Sequence, residues 1–186
     1  MKVQVLREAG YEEALLGLSL SYNQPIEKMS RVADRLYCHD DGHNKFLESI
    51  TVWLDIVAPR YWWQQFDTYR VGMTKQSEST MHTLMKRPLT QEDFEHPIHP
   101  ATLERLNELI AAREFETVKI ELPEGFLQRR IVCTNYKVLR HMIGQRLRHR
   151  LPEWVFFCQE IAVQLGHGAF VGQAKSEAQQ EQPKNG

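Results

Sequence analysis

Three short stretches of this chain carry residues whose types and spacing could do chemistry. Gly42-His43 leads into an apolar, alternating run, and Arg70 lies downstream at the end of an aromatic segment. An imidazole and a guanidinium so placed could meet a bound anion or cofactor. The plainer reading is that His43 closes a turn and Arg70 is a solvated helix-end charge, favoured there by the negative dipole. On composition alone the plainer reading wins. Next, Lys75-Gln76-Ser77-Glu78-Ser79-Thr80 sets a lysine among small hydroxyls, a combination suited to a phosphate when backbone N–H groups join it. It lacks the glycines of a GxxxxGK[ST] loop, and serine-rich loops are commonly just solvated. Finally, Lys137, Arg140, His141, Arg146, Arg148 and Arg150 form one of the densest basic runs in the chain. Arginine forks grip phosphate in a bidentate way that lysine cannot reproduce. Helical spacing places Lys137, Arg140 and Arg148 on one face and Arg146 on another. For most of these residues a charged, solvated face is the simpler account. Nucleic acid is the other use of such a run, but the run is confined to one helix amid plentiful acidic residues, and nucleic acid is not expected as a partner.

Other chemistries are disfavoured. His39 and His43 stand four apart, a metal-ligand spacing only on a helix, and Asp40, Asp41 and Gly42 between them make a turn. With no third ligand, no metal site is expected. The three cysteines, Cys38, Cys133 and Cys158, are far apart and form no CxxC pair. A disulfide framework or thiolate zinc site is not expected, and a reducing, cytoplasmic setting fits. The 186 residues, 42% hydrophobic and 10% aromatic, suffice for one domain with a real core. Charged residues make up 25% and the net charge is −1, so nothing global points to a polyanion. The first residues, MKVQVLREAGYEE, are broken by charges and do not read as a signal peptide. No run of about 18 apolar residues occurs, so no membrane-spanning helix is expected.

The elements that must position these groups follow from periodicity. Val3 to Leu6 reads as a short strand. Gln24 to Tyr37 reads as a helix with Ile26, Met29, Val32, Ala33 and Leu36 on one face. His39 to His43 is a turn, and Asn44 to Ser49 a short helix. Ile50 to Val57 alternates as a strand stopped by Pro59. Arg60 to Arg70 reads as helical, and Val71 to Thr90 as an irregular loop bearing a ligand site. A helix from His99-Pro100 to about Arg113 buries Leu103, Leu106, Leu109 and Ile110. Pro123 opens another helix. Two more run from Asn135 to Arg150, with Asn135 as cap, and from Pro152 onward. Trp53, Trp62, Trp63 and Trp154 fall at core periodicity. From Ala174 no large apolar residue remains, so the chain divides into a domain, 1–173, and a disordered tail, 174–186.

In order and register these features resemble the flavin-dependent thymidylate synthases. Gly42-His43 through Phe46-Leu47-Glu48, the strand Ile50 to Val57, Ala58-Pro59 and Arg70 match the family's GHxxxxEH segment, strand, helix and RHR-x7-S signature. Asn135-Tyr-Lys-Val-Leu-Arg140 through Gln145-Arg146 to Glu153-Trp154 is similar to its NARSLRNFLxLR…AQWEIR helices. Together the matches cover roughly a third of the chain. The departures are specific. RHR becomes Thr68-Tyr69-Arg70, and the serine is Ser79 with one extra residue or Ser77 with one fewer. Met81 stands where an arginine is usual, EH becomes Glu48-Ser49, and the region before Asn135 is short. These departures are those of a divergent, phage-type member.

The resemblance implies an α+β fold, a small sheet with flanking helices, assembled as a homotetramer with FAD between subunits. It implies an enzyme in which NADPH reduces the flavin. A one-carbon unit then passes from methylenetetrahydrofolate to C5 of dUMP. On this transfer His43 and Arg70 contact flavin, with Asn135 near its ring and Tyr69 either stacking on it or merely packing. Gln76, Ser79, Arg140 and Arg146 hold the nucleotide, with Ser79 and Arg146 nearest the chemistry. A related C5 modification such as hydroxymethylation, and a non-catalytic nucleotide- or nucleic-acid-binding protein on the same fold, stand as alternatives.

Overall fold

The computed structural model describes residues 1–40 and 42–172. The tail expected over 174–186 lies outside the described residues. Strand β1 (Lys2–Ala9) runs to Gly10, whose φ of 97° only glycine adopts freely; a Cβ there would sit 2.2 Å from the Ser49 carbonyl oxygen. Helix α1 (Tyr11–Tyr22) follows and buries Ala14, Leu15 and Leu18. After a 3-10 turn (Ile26–Lys28) comes α2 (Met29–Leu36), and then a second 3-10 turn (Lys45–Ser49). Strand β2 (Thr51–Pro59) leads directly into α3 (Arg60–Phe66). Beyond it lie β3 (Thr74–Ser77), α4 (Thr80–Thr83), α5 (Pro100–Ala111) and α6 (Phe115–Glu121). Strand β4 (Leu127–Asn135) then feeds α7 (Tyr136–Arg146), α8 (Pro152–Gln164) and the short α9 (Ala169–Gly172).

The four strands form one antiparallel sheet in the order β1-β2-β4-β3. The architecture is α+β, a small sheet flanked by helices. Its central pair runs unbroken from Thr51 opposite Asn135 to Pro59 opposite Leu127. Because side chains alternate across a strand, Val52, Leu54 and Ile56 point to one face and are fully buried. They pack with Trp62, Trp63, Phe66, Tyr136, Leu139, Met142, Trp154 and Phe157 in the main core. The aromatic rings interlock at its centre, Trp62 lying 4.6 Å from Trp154 and 4.9 Å from Phe66 between centroids, in the offset arrangements that ring quadrupoles favour. A second, smaller core of Leu84, Leu89, Phe94, Leu106, Leu109, Ile110, Val118 and Leu122 forms within the chain segment that joins β3 to β4.

Several elements differ from those expected. The stretch Val71 to Thr90 is not wholly irregular, since β3 and α4 lie within it. Pro123 opens no helix. It accepts a turn hydrogen bond from Phe126 N–H, and β4 begins at Leu127. The periodicity of β4 was masked by Arg130, which points to the core face beside Val132 and Thr134. That charge is tolerated because both carboxylate oxygens of Asp67 accept from it at 3.0 Å and its guanidinium lies 4.3 Å from the Trp63 ring centroid. Helix α1 has a weak periodic signal, because Leu16 and Leu20 are exposed and blur its apolar stripe.

Two measurements check this account. Leu54→Ala should cost about 2–5 kcal/mol in urea unfolding, the range for a fully buried leucine, whereas exposed Leu16→Ala should cost about 0.5 kcal/mol or less. Burial alone would raise the pKa of Asp67, but hydrogen bonds from Lys75 and Arg130 outweigh it and hold the carboxyl below its usual 3.8. Its contribution is therefore complete above 3.8 and lost as pH falls below that value. Asp67→Asn should lower stability at neutral pH and make the acid loss shallower.

Candidate functional site

Helix α7 organises the candidate residues. At its start Asn135 has extended backbone (φ −134°, ψ 168°), and its Oδ1 accepts from Val138 N–H at 3.0 Å as an N-cap. The next residue, Tyr136, is buried and donates its N–H to the Ile50 carbonyl at 3.0 Å. The segment after Tyr69 passes close by. Gly72 has φ +72°, and a Cβ there would lie 2.8 Å from Val138 Cγ2 and 3.3 Å from Asn135 Nδ2. Thr134 Oγ1 donates to the Gly72 carbonyl at 3.2 Å. Only a glycine lets this backbone approach the helix start, so the chain from Tyr69, which bonds Arg146 at the far end of α7, to Gly72 at its start runs alongside the helix, with Arg70 between them. The segment of His43 is tied there too. Buried Asn44 donates to the Tyr37 carbonyl and to Asp40, both at 3.1 Å, and its Oδ1 accepts from Lys137 in the first turn of α7. His43 and Arg70 are both exposed, and neither side chain has a hydrogen bond or ion pair among the described residues.

Arg140 lies further along α7, half-buried. It donates to the Phe170 carbonyl at 3.4 Å and sits 5.4 Å from the Tyr37 ring. At the far end is Arg146, about 16 Å from Asn135 at the helical rise of about 1.5 Å per residue. Its Nε donates to the Tyr69 hydroxyl at 2.8 Å, and that hydroxyl donates in turn to Gln145 Oε1 at 2.8 Å. A terminal nitrogen reaches Gln65 Oε1 at 3.4 Å, and the same oxygen accepts from Trp154 Nε1 at 2.9 Å. The guanidinium also lies 4.8 Å from the Trp154 ring and 5.6 Å from that of Tyr69.

Gln76 and Ser79 sit elsewhere. Gln76 is paired with Ile131 on the edge strand β3, and Ser79 precedes α4; both are exposed. Neither has a hydrogen bond or ion pair to Arg146 among the described residues. A cleft of about 570 Å³ opens beside Glu78, between the sheet and the second core, lined also by Val57, Thr83, Arg87 and Arg129. Another cavity of about 480 Å³ lies near His167. Neither of these two cavities is lined by His43, Arg70 or Arg146.

The electrostatics around Arg146 are legible. His149 Nδ1 accepts from Leu151 N–H at 3.1 Å. Partial burial, then Arg146 and Arg150, hold its pKa below 6.5, so the ring is neutral at neutral pH. Burial pushes the Cys158 thiol up to about 12, so it is protonated and unreactive at neutral pH. Among the described residues no group of three or more His, Cys, Asp or Glu is placed to hold a metal, and no helix is long and apolar enough to cross a membrane. Sequence reasoning missed Gln65, Lys137's bond to Asn44, and Asn44 itself. The one signal for Gln65 was its place four residues before Tyr69 in an aromatic segment.

No family model and no curated protein matches the chain. Solved structures do. A thymidylate synthase X from Helicobacter pylori, with FAD and dUMP, superposes with a TM-score of 0.77 at 16% identity, covering 90% of this chain and 95% of that one. A second structure, a flavin-dependent thymidylate synthase from Helicobacter pylori complexed with FAD and dUMP, gives 0.75 at 16% identity, covering 89% and 94%. The chain therefore has the fold of the flavin-dependent thymidylate synthases over nearly its whole length.

Proposed function

We propose that this chain is a flavin-dependent enzyme of thymidylate synthase type, transferring a one-carbon unit to C5 of dUMP or a related pyrimidine nucleotide. The observation that carries the proposal is the convergence of three separate segments on α7, in a fold whose solved examples hold FAD and dUMP. The segments are those of His43, of Tyr69 to Gly72, and of Asn135 to Arg146.

The donor set suits a flavin. His43, Arg70 and the Asn135 Nδ2 offer an imidazole, a guanidinium and an amide with no internal partners among the described residues, a fit to a ring carrying a diphosphate. When bound, the flavin reduced by NADPH supplies the hydride that completes the methyl group after methylenetetrahydrofolate has donated its carbon. The chain's own groups bind and orient. Arg70 meets negative charge at the start of α7, and Asn135 keeps that helix end in place. Arg146 carries the charge at the other end for the nucleotide anion, with Gln76 and Ser79 as further donors. This reading includes a homotetramer in which neighbouring copies complete the site. A nucleic-acid role fits less well, because the basic residues are confined to one short run in a chain of net charge −1.

Absorbance tests the proposal directly. Purified protein should show a bound-flavin spectrum or acquire one with added FAD, and protein that stays colourless at saturating FAD would refute the flavin reading. His43→Ala should lower flavin occupancy; equal occupancy in variant and parent would remove that residue from the site. Arg146→Ala should weaken dUMP binding by tenfold or more in calorimetry, about 1.4 kcal/mol or more, with the circular dichroism spectrum retained.

A further inference from the structure

The hydrogen bonds around Arg146 do more than satisfy it. Its guanidinium has five N–H donors. Nε–H goes to Tyr69 and one terminal N–H to Gln65, leaving three without a partner among the described residues. Tyr69 Oη accepts from Arg146 and donates to Gln145, and because Gln65 Oε1 already accepts from the Trp154 indole, it is held where the arginine needs an acceptor. The floor is rigid, since Trp154 is fully buried and locked among Trp62, Phe66 and Phe157. An arginine on a free surface loses its rotamer freedom when it binds an anion, whereas one held beforehand does not.

We infer that Tyr69 and Gln65 are positioning residues for Arg146, holding its guanidinium in one orientation so that its three remaining N–H donors receive the phosphate of the nucleotide. This rests on the proposed role of Arg146 in nucleotide binding. It gives Tyr69 a function other than contact with a flavin ring. The Tyr69 hydroxyl is spent on Arg146 and Gln145, and the ring lies against that arginine and near Phe66, Trp154 and His141. It also accounts for a tyrosine at this position, since one hydroxyl accepts from the arginine and donates to the next residue of α7 at once.

The test compares dUMP with deoxyuridine, which lacks the phosphate, by calorimetry on the full chain. Tyr69→Phe keeps the ring and removes the hydroxyl. It should weaken dUMP about tenfold, leave deoxyuridine unchanged, and have no further effect on an Arg146→Ala background. Loss of both ligands in parallel, or an effect that persists on that background, would overturn the inference, because a merely structural role predicts those outcomes. Should Tyr69→Phe fail to fold, Gln65→Met serves with the same expectations and the same refutations. If Arg146→Ala alone leaves dUMP binding intact, the nucleotide assignment of Arg146 itself is lost, a result distinct from the failure of Tyr69 or Gln65 to act through it.

Discussion

Everything in this molecule depends on the passage from β4 into α7 at Asn135. That residue is at once the last of the strand, paired with Thr51, and the cap of the helix, accepting from Val138. The sheet register therefore fixes where α7 begins and in which direction it leaves. Slipping the pairing by one residue would turn Val132 and Thr134 out of the core and rotate every candidate side chain of α7 with them. The buried Tyr136, its N–H held by Ile50, closes off any fraying of this junction.

Two further restraints build on that junction. Gly72 lets the turn before β3 lie against the helix start, and Lys137 reaches across to Asn44 to hold the turn that carries His43. At the opposite end the aromatic block supplies a wall for Arg146. Affinity for an anion at such a place comes from charge that is already oriented and partly shielded from water, where its field is screened less. The arrangement accepts a cost in return, because a half-buried guanidinium must keep its hydrogen bonds or lose stability.

Much of this could be read from the residues alone, and the failures have physical reasons. The alternation of β2, the stripe of α5, the cap at Asn135 and the core tryptophans Trp62, Trp63 and Trp154 all follow from local pattern, whereas Trp53, expected with them, is only half-buried on the opposite face of β2, 5.7 Å from the Arg7 guanidinium. Strand β4 did not, because a charged residue on its buried face looks polar until Asp67 and Trp63 are brought beside it, and both are distant in sequence. Tyr69 shows the same limit. Motif position suggested a cofactor contact or simple packing, while its partners Gln145 and Arg146 lie 76 and 77 residues away. Which groups share a ligand is a long-range matter. Local spacing identified the donors and left their company undetermined.

The second core, built from the chain segment that connects β3 to β4, has a consequence for how this chain can change over time. Its residues from Leu84 to Leu122 pack chiefly on one another, apart from the main core. Insertions in the exposed turns that join its helices lengthen a connection between two paired strands, which costs little free energy as long as the buried residues keep their packing. The abbreviated stretch before Asn135 falls in this part of the chain. A change confined to those turns leaves the ladder between β2 and β4 untouched, so one flank of the molecule can vary while the other keeps its shape.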